Sequence, residues 1–193
     1  MAEVDTTLLA GPFFAFAVLL AAAGALKLGR PEGAVRALRT AGLPAPEVGV
    51  RALGVAEVVL AAAAIAVGGR VTAGLVTVAY LGFAAFTARV VARSDATASC
   101  GCFGETEAPA NRLHVALNLV AAAMVATVVV WPTAGLLDVV SDQPLAGIPF
   151  LALTLLLAWL WSVLYTVVPD WQEALAALVP SEDGERAPAG SDR

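Results

Sequence analysis

The chain has 193 residues, of which 60% are hydrophobic and only 14% are charged. Soluble domains carry about a quarter charged residues, so this composition indicates a protein that lies in a lipid bilayer. The net charge of −5 comes largely from an acidic C-terminus, and the sequence has no basic stripe with interleaved aromatic residues. A nucleic-acid-binding function is therefore not expected.

Apolar runs long enough to cross the hydrocarbon core, which takes about 20 helical residues, occur along most of the chain. The five predicted spans are residues 8–28, 49–67, 71–91, 113–131 and 150–168. Residues 1–170 are expected to form one all-α transmembrane bundle, and residues 171–193 an acidic, disordered tail. The first run follows Glu3 and Asp5 and exceeds the apolar core of a signal peptide, so we interpret it as a retained span.

The connections between the spans carry further signals. Residues 31–39 suit either a short helix at the membrane interface or an ordered loop. Residues 68–70 allow only a tight turn, so the second and third spans must run antiparallel. Tyr165 and Trp171 lie near the end of the fifth span, as aromatic residues of an interface belt do.

Basic residues are distributed unevenly between the two sides of this topology. Every Lys and Arg except Arg70 falls on the same side as the connection 94–112. Because basic residues concentrate in cytoplasmic connections, the N-terminus is expected outside and the connection 94–112 in the cytoplasm.

Both cysteines lie in this polar connection, at Cys100 and Cys102. Two such residues can form a disulfide only if the chain turns sharply between them, and Gly101 permits that turn because it lacks a Cβ. A small strained ring is easily reduced, which suits disulfide exchange rather than structural cross-linking. Cys100 and Cys102 are therefore the predicted catalytic residues.

Some residues near the cysteines in the sequence favour the thiolate form, and others oppose it. Arg112, His114 and the start of the fourth span favour the thiolate, whereas Glu105 and Glu107 oppose it, so the net effect stays open. His114 is either a proton relay to a leaving thiolate or an interfacial residue without a chemical role. Asn118 is expected to form a hydrogen bond between helices.

Two ionisable residues lie within the spans on the side of the cysteines. Glu57 is about 12 Å along the helix from the start of the second span, and an ionisable residue at that depth is a functional candidate. Lys27, near the end of the first span, either pairs with Glu57 or extends to the interface. We predict that both support the cysteine site, and a purely structural ion pair is the alternative.

Other chemistry is compatible with the same residues. Cys100, Cys102, His114 and a carboxylate such as Glu57 are potential metal ligands, which would indicate a metal or small-molecule transporter. Inert or acylated cysteines would leave a non-catalytic assembly partner.

Residues 23–28, Glu57, the motif 100–104 and the pair Asn111-Arg112 resemble the methylamine utilisation protein MauE family, within the broader DoxX-like membrane proteins. The resemblance covers about residues 8–131. It implies a four-helix core, to which the fifth span is added. It also implies disulfide handling with a thioredoxin-like partner, in support of the maturation of exported proteins.

The expected site follows from the motif and the resemblance together. Its supporting residues are Lys27, Glu57, Gly101, Phe103, Gly104, Arg112 and His114. No cofactor is expected. A quinone-linked variant is the lower-ranked alternative, because DsbB and vitamin K epoxide reductase, which it would resemble, use two cysteine pairs and this chain has one. The family's role suggests disulfides made outside the cytoplasm. Either the basic-residue rule fails here, or reducing equivalents cross from the cytoplasmic face.

Overall fold

The computed structural model describes residues 6–93 and 111–167. Its helices are α1 (Thr6–Gly29), α2 (Glu32–Thr40), α3 (Glu47–Val67), α4 (Gly69–Arg93), α5 (Arg112–Val130), α6 (Leu136–Ser141) and α7 (Ile148–Thr166), with a 3₁₀ turn at Pro144–Gly147. No strand occurs in these two ranges. The connection that contains the cysteines and the predicted tail lie outside the described residues.

Five of these helices, α1, α3, α4, α5 and α7, are long and apolar enough to cross a membrane. They overlap the five predicted spans, which confirms an all-α, multi-pass membrane protein. Extended backbone at Pro46 precedes α3, and Gly68, with φ of 64°, ends it. A positive φ is the conformation that glycine adopts at low cost, so the turn into α4 occurs at Gly68.

Helix α1 lies at the centre of the bundle, where it packs on α3, α5 and α7, while α4 packs mainly on α5. Its aromatic residues Phe13, Phe14 and Phe16 are almost completely buried. Tyr80 of α4 stacks edge-on against Phe16 at 5.7 Å and donates a hydrogen bond of 2.8 Å to the Phe16 carbonyl. Such contacts hold the helices together, because lipid supplies no hydrophobic force between them.

Helices α1 and α3 cross at two glycines. A Cβ added to Gly24 would lie 2.7 Å from the Gly54 carbonyl oxygen, and one added to Gly54 would lie 2.7 Å from the Gly24 carbonyl oxygen. No side chain is compatible with these distances without a backbone shift. The crossing therefore depends on glycine at both positions.

Residues 32–40 form the short helix α2, so this connection is helical and not an irregular ordered loop. At its end, the Ala41 carbonyl accepts hydrogen bonds of 2.8 Å from Arg89 Nε and from Arg93 Nη1. Gly42 has a φ of 67°, and a Cβ there would collide with the Arg93 guanidinium. These contacts fix α2 to the C-terminal end of α4.

The opposite end of the bundle is closed by backbone contacts. The Gly69 amide donates to the Thr133 carbonyl at 2.9 Å, and a Cβ on Gly135 would collide with the Ala66 carbonyl. The turn between α3 and α4 thus packs on the connection that follows α5.

Candidate functional site

Lys27 and Glu57 form an ion pair inside the bundle. Lys27 Nζ lies 2.9 Å from Glu57 Oε2, and the two residues are only 5% and 3% exposed. Each follows a glycine of the crossing, Gly24 or Gly54, by three residues and so lies on the same helix face. Of the two alternatives for Lys27, the structure shows pairing with Glu57 rather than extension to the interface.

The Lys27 ammonium has partners besides the carboxylate. Its Nζ donates to the Ala23 carbonyl at 3.4 Å and lies 5.3 Å from the centre of the Phe83 ring, over its face. An ammonium has three N–H groups, and Glu57 Oε2, the Ala23 carbonyl and the Phe83 ring provide one partner for each of them. Glu57 differs, since its second oxygen, Oε1, is buried without a hydrogen-bond partner among the residues the structure describes.

A cavity of about 310 Å³ lies beside this ion pair, between α2, α3 and α4. Its lining residues are Lys27, Ala34, Leu38, Val50, Leu53, Glu57, Ala79, Gly82, Phe83 and Phe86. Lys27 and Glu57 are the polar members of an otherwise apolar lining. Because Leu53 and Gly82 are exposed, the cavity opens sideways between α3 and α4, where lipid surrounds the protein.

This cavity was not predicted from the sequence. Phe83 and Phe86 are one turn apart on α4. Residues that face lipid show the same spacing, so it does not distinguish a cavity wall from a lipid-facing surface. The glycine at position 82 was the available signal, because a residue without a side chain beside two aromatic residues leaves space next to the helix.

The N-terminus of α5 is capped by Asn111. Its Oδ1 accepts hydrogen bonds from the amides of Leu113, at 2.9 Å, and His114, at 3.2 Å. The Asn111 amide in turn donates to His114 Nδ1 at 3.4 Å, which completes a reciprocal capping box. This cap satisfies amides that would otherwise be unpaired at the helix start.

His114 connects the same turn to α7. It is 1% exposed, and its Nε2 lies 3.0 Å from the Tyr165 carbonyl oxygen. Because a carbonyl only accepts, the contact with Tyr165 places a proton on Nε2, while Nδ1 lies 3.1 Å from Asn111 Oδ1 and 3.4 Å from the Asn111 amide nitrogen. His114 is therefore buried between two helices and not exposed at the interface.

Asn118 and Tyr165 extend this network. The Tyr165 hydroxyl donates to Asn118 Oδ1 at 3.0 Å, and Asn118 Nδ2 donates to the His114 carbonyl at 2.9 Å. The predicted hydrogen bond between helices is confirmed for Asn118. The assignment of Tyr165 to an interface belt is wrong, because this residue is 3% exposed and faces Asn118. Trp171 lies outside the described residues.

The ion pair and the histidine network are neighbours. Phe83 lines the cavity beside Lys27 and also a small cavity bounded by Asn118 and Tyr165. Its ring thus separates the two polar groups. Both groups lie toward the end of the bundle where α4 finishes and α5 begins.

Cys100, Gly101, Cys102, Phe103 and Gly104 lie outside the described residues. The flanking positions are defined, with Arg93 bound to Ala41 before the segment and Asn111 capping α5 after it. Arg112 is exposed in the first turn of α5. Within ranges 6–93 and 111–167, no three His, Cys, Asp or Glu residues come together as metal ligands.

These features define a five-span helical membrane protein with a short helix at one end and a buried ion pair beside a laterally open cavity. The family described as Methylamine utilisation protein MauE matches residues 5–132, which include α1 to α5. The chain belongs to this family. No curated protein and no solved structure matches it. The matched part contains four of the five long helices, and α7 lies beyond it.

Proposed function

We propose that the protein is a membrane thiol–disulfide exchange protein in which Cys100 and Cys102 react with a thioredoxin-like partner. A thiolate of the reduced partner attacks one sulfur of the Cys100–Cys102 disulfide, and the other cysteine leaves as a thiolate. The second partner thiolate then breaks the mixed disulfide. Two electrons thereby pass from the partner to this protein, and the reverse sequence reduces an oxidised partner.

The observation that carries this proposal is the anchoring of the segment 94–110. Arg89 and Arg93 hold one flank against Ala41, and Asn111 fixes the other at the start of α5. The two described flanks lie at the same end of the bundle, and this is the end at which we propose that the cysteines meet a partner outside the bilayer. Membership of a methylamine utilisation family, together with the Cys-x-Cys spacing, supports a role in the maturation of exported proteins.

The supporting residues have different parts in this proposal. Arg112, exposed beside the segment, stabilises a thiolate through its charge. His114 holds the start of α5 in place, because both of its nitrogens have partners in the network. Lys27 and Glu57 fix the crossing of α1 and α3 beneath the same end.

Trapping of the mixed disulfide tests this function. Cys100→Ser or Cys102→Ser removes the resolving thiol, so we expect at least one of the two variants to accumulate a covalent adduct with a thioredoxin-like protein. Non-reducing electrophoresis and mass spectrometry detect the adduct, and the double variant is the control that must lose it. Absence of an adduct from both single variants, or unchanged client maturation in the double variant, contradicts the proposal.

We further propose that the N-terminus is outside and the cysteines face the cytoplasm, as the distribution of basic residues indicates. After mild reduction, which frees the thiols for alkylation, labelling of intact cells with an impermeant maleimide should leave Cys100 and Cys102 unmodified until the membrane is permeabilised. Arg70→Cys in the double Cys→Ser background is the matched control, since Arg70 is exposed at the opposite end of the bundle. It should be labelled in intact cells, and the reverse pattern would invert the topology.

A further inference from the structure

We propose that the cavity between α2, α3 and α4 binds a lipophilic phenol, whose hydroxyl donates a hydrogen bond to Glu57 Oε1. This inference does not depend on the cysteines. It rests on an acceptor without a donor, on the character of the cavity wall and on the position of its opening.

One buried side-chain oxygen of the cavity lining, Glu57 Oε1, lacks a hydrogen-bond partner among the described residues. Of the buried side-chain oxygen and nitrogen atoms that lack a partner in the described part of the chain, only Glu57 Oε1 belongs to a residue that lines this cavity. Lys27 does not satisfy it, because its ammonium faces Oε2, the Ala23 carbonyl and the Phe83 ring. A buried carboxylate oxygen without a hydrogen bond is unfavourable, so the missing group is a hydrogen-bond donor.

A water molecule is a poor candidate for this donor. Buried waters make about three hydrogen bonds, and here Glu57 Oε1 is the one side-chain atom on the described wall that needs a partner. The volume of about 310 Å³ is also far more than one water requires and lies at the lower end of small-molecule sites. The donor must therefore arrive on an apolar body that fills the cavity.

The wall selects among such donors. Lys27 beside the carboxylate repels an ammonium, which leaves a neutral O–H or N–H donor, and the hydroxyl is the smaller of these. Phe83 and Phe86 offer aromatic faces and edges against which a flat ring packs better than an alkyl chain. The opening between Leu53 and Gly82 faces lipid, so the molecule enters from the bilayer. A phenol with an apolar substituent combines these properties.

The glycines of α4 allow a matched pair of variants. A Cβ added to Gly82 meets no atom within 4 Å, and the same is true of Gly74, which does not line the cavity. Gly82→Leu should therefore fill the cavity mouth without moving the backbone. Gly74→Leu adds the same side chain to the same helix outside the site.

Binding of 4-hexylphenol to the full-length protein in detergent, measured by isothermal titration calorimetry, tests the proposal. The wild type and Gly74→Leu should bind with equal affinity, and Gly82→Leu should lose saturable binding. The methyl ether 4-hexylanisole, which lacks the donor, should bind roughly tenfold or more weakly. Glu57→Gln should remove the preference for the phenol, because its amide group can face the cavity as a donor.

Equal affinity of the phenol and its methyl ether would overturn the proposal and leave an acyl-chain site. Saturable binding that survives in Gly82→Leu would also overturn it, by placing the ligand elsewhere. The double Cys→Ser variant should bind the phenol like the wild type. Failure of this inference and failure of the exchange function are thus separately observable.

Discussion

Replacement of Lys27 by methionine should destabilise the protein strongly while Glu57 is present. Methionine keeps the apolar stem but removes the ammonium, so the Glu57 carboxylate is left buried without a counter-charge. Loss of one partner of a buried ion pair costs about 3–5 kcal/mol. Reversible unfolding in mixed micelles, followed by circular dichroism, measures the change in the free energy of unfolding.

The double variant Lys27→Met/Glu57→Leu separates this effect from loss of packing. Apolar replacement of both partners of a buried pair is often neutral or stabilising, so the double variant should be more stable than Lys27→Met alone. Arg51→Met is the control for an exposed pair, because Arg51 and Glu47 lie 2.7 Å apart with side chains 52% and 59% exposed. It should cost at most about 1 kcal/mol.

Two results would contradict the central role of the pair. One is a double variant as unstable as Lys27→Met, which would show that the unpaired Glu57 carboxylate is not the cause of the lost stability. The other is a cost for Lys27→Met no greater than that for Arg51→Met.

Replacement of His114 by leucine should have the second large effect. The variant removes the N–H group that donates to the Tyr165 carbonyl and the ring nitrogen that faces the Asn111 amide in the capping box. Loss of one buried hydrogen bond costs about 0.5–1.5 kcal/mol, and loss of the reciprocal half of the capping box adds to this cost. His114→Gln retains an N–H group that can reach the carbonyl and should recover part of the loss in the same unfolding measurement.

Thr127→Val is the matched control on α5, because the Thr127 hydroxyl bonds only to the Met124 carbonyl of its own helix. Its effect should be small. If His114→Leu were no more destabilising than Thr127→Val, the network between α5 and α7 would not hold the start of α5 in place.

The fold was predictable because the thickness of the bilayer sets the length of each span. The depth of Glu57 and the side on which Lys27 lies were also readable from the spans. Their pairing was not, because it depends on where α1 and α3 cross. Gly24 and Gly54 set that point. The chain has many other small residues, and its sequence does not show which of them are in contact.

The cavity and the histidine network were harder to predict from the sequence than the spans. Apolar residues such as Phe83 can face either lipid or a cavity, and periodicity does not distinguish these. Tyr165 was misassigned because tyrosine near the end of a span is typical of the interface. The hydrogen bond of Asn118 to another helix was predicted, but the sequence did not show that Tyr165 is its donor. The chemistry of Cys100 and Cys102 stays a prediction.

The ion pair between α1 and α3 also bears on biogenesis. Lys27 and Glu57 are separated by 30 positions, so the first span leaves the ribosome before its partner. A lone charge raises the free energy of membrane insertion, by about 2.5–3.5 kcal/mol at the centre of a helix, where Glu57 lies, and by less near the end of a helix, where Lys27 lies. Insertion of the first two spans together, as a helical hairpin with α2 at its bend, neutralises this penalty in a single step. Because the close approach at Gly24 and Gly54 brings the two charges together, we expect the first two spans to enter the membrane as a pair.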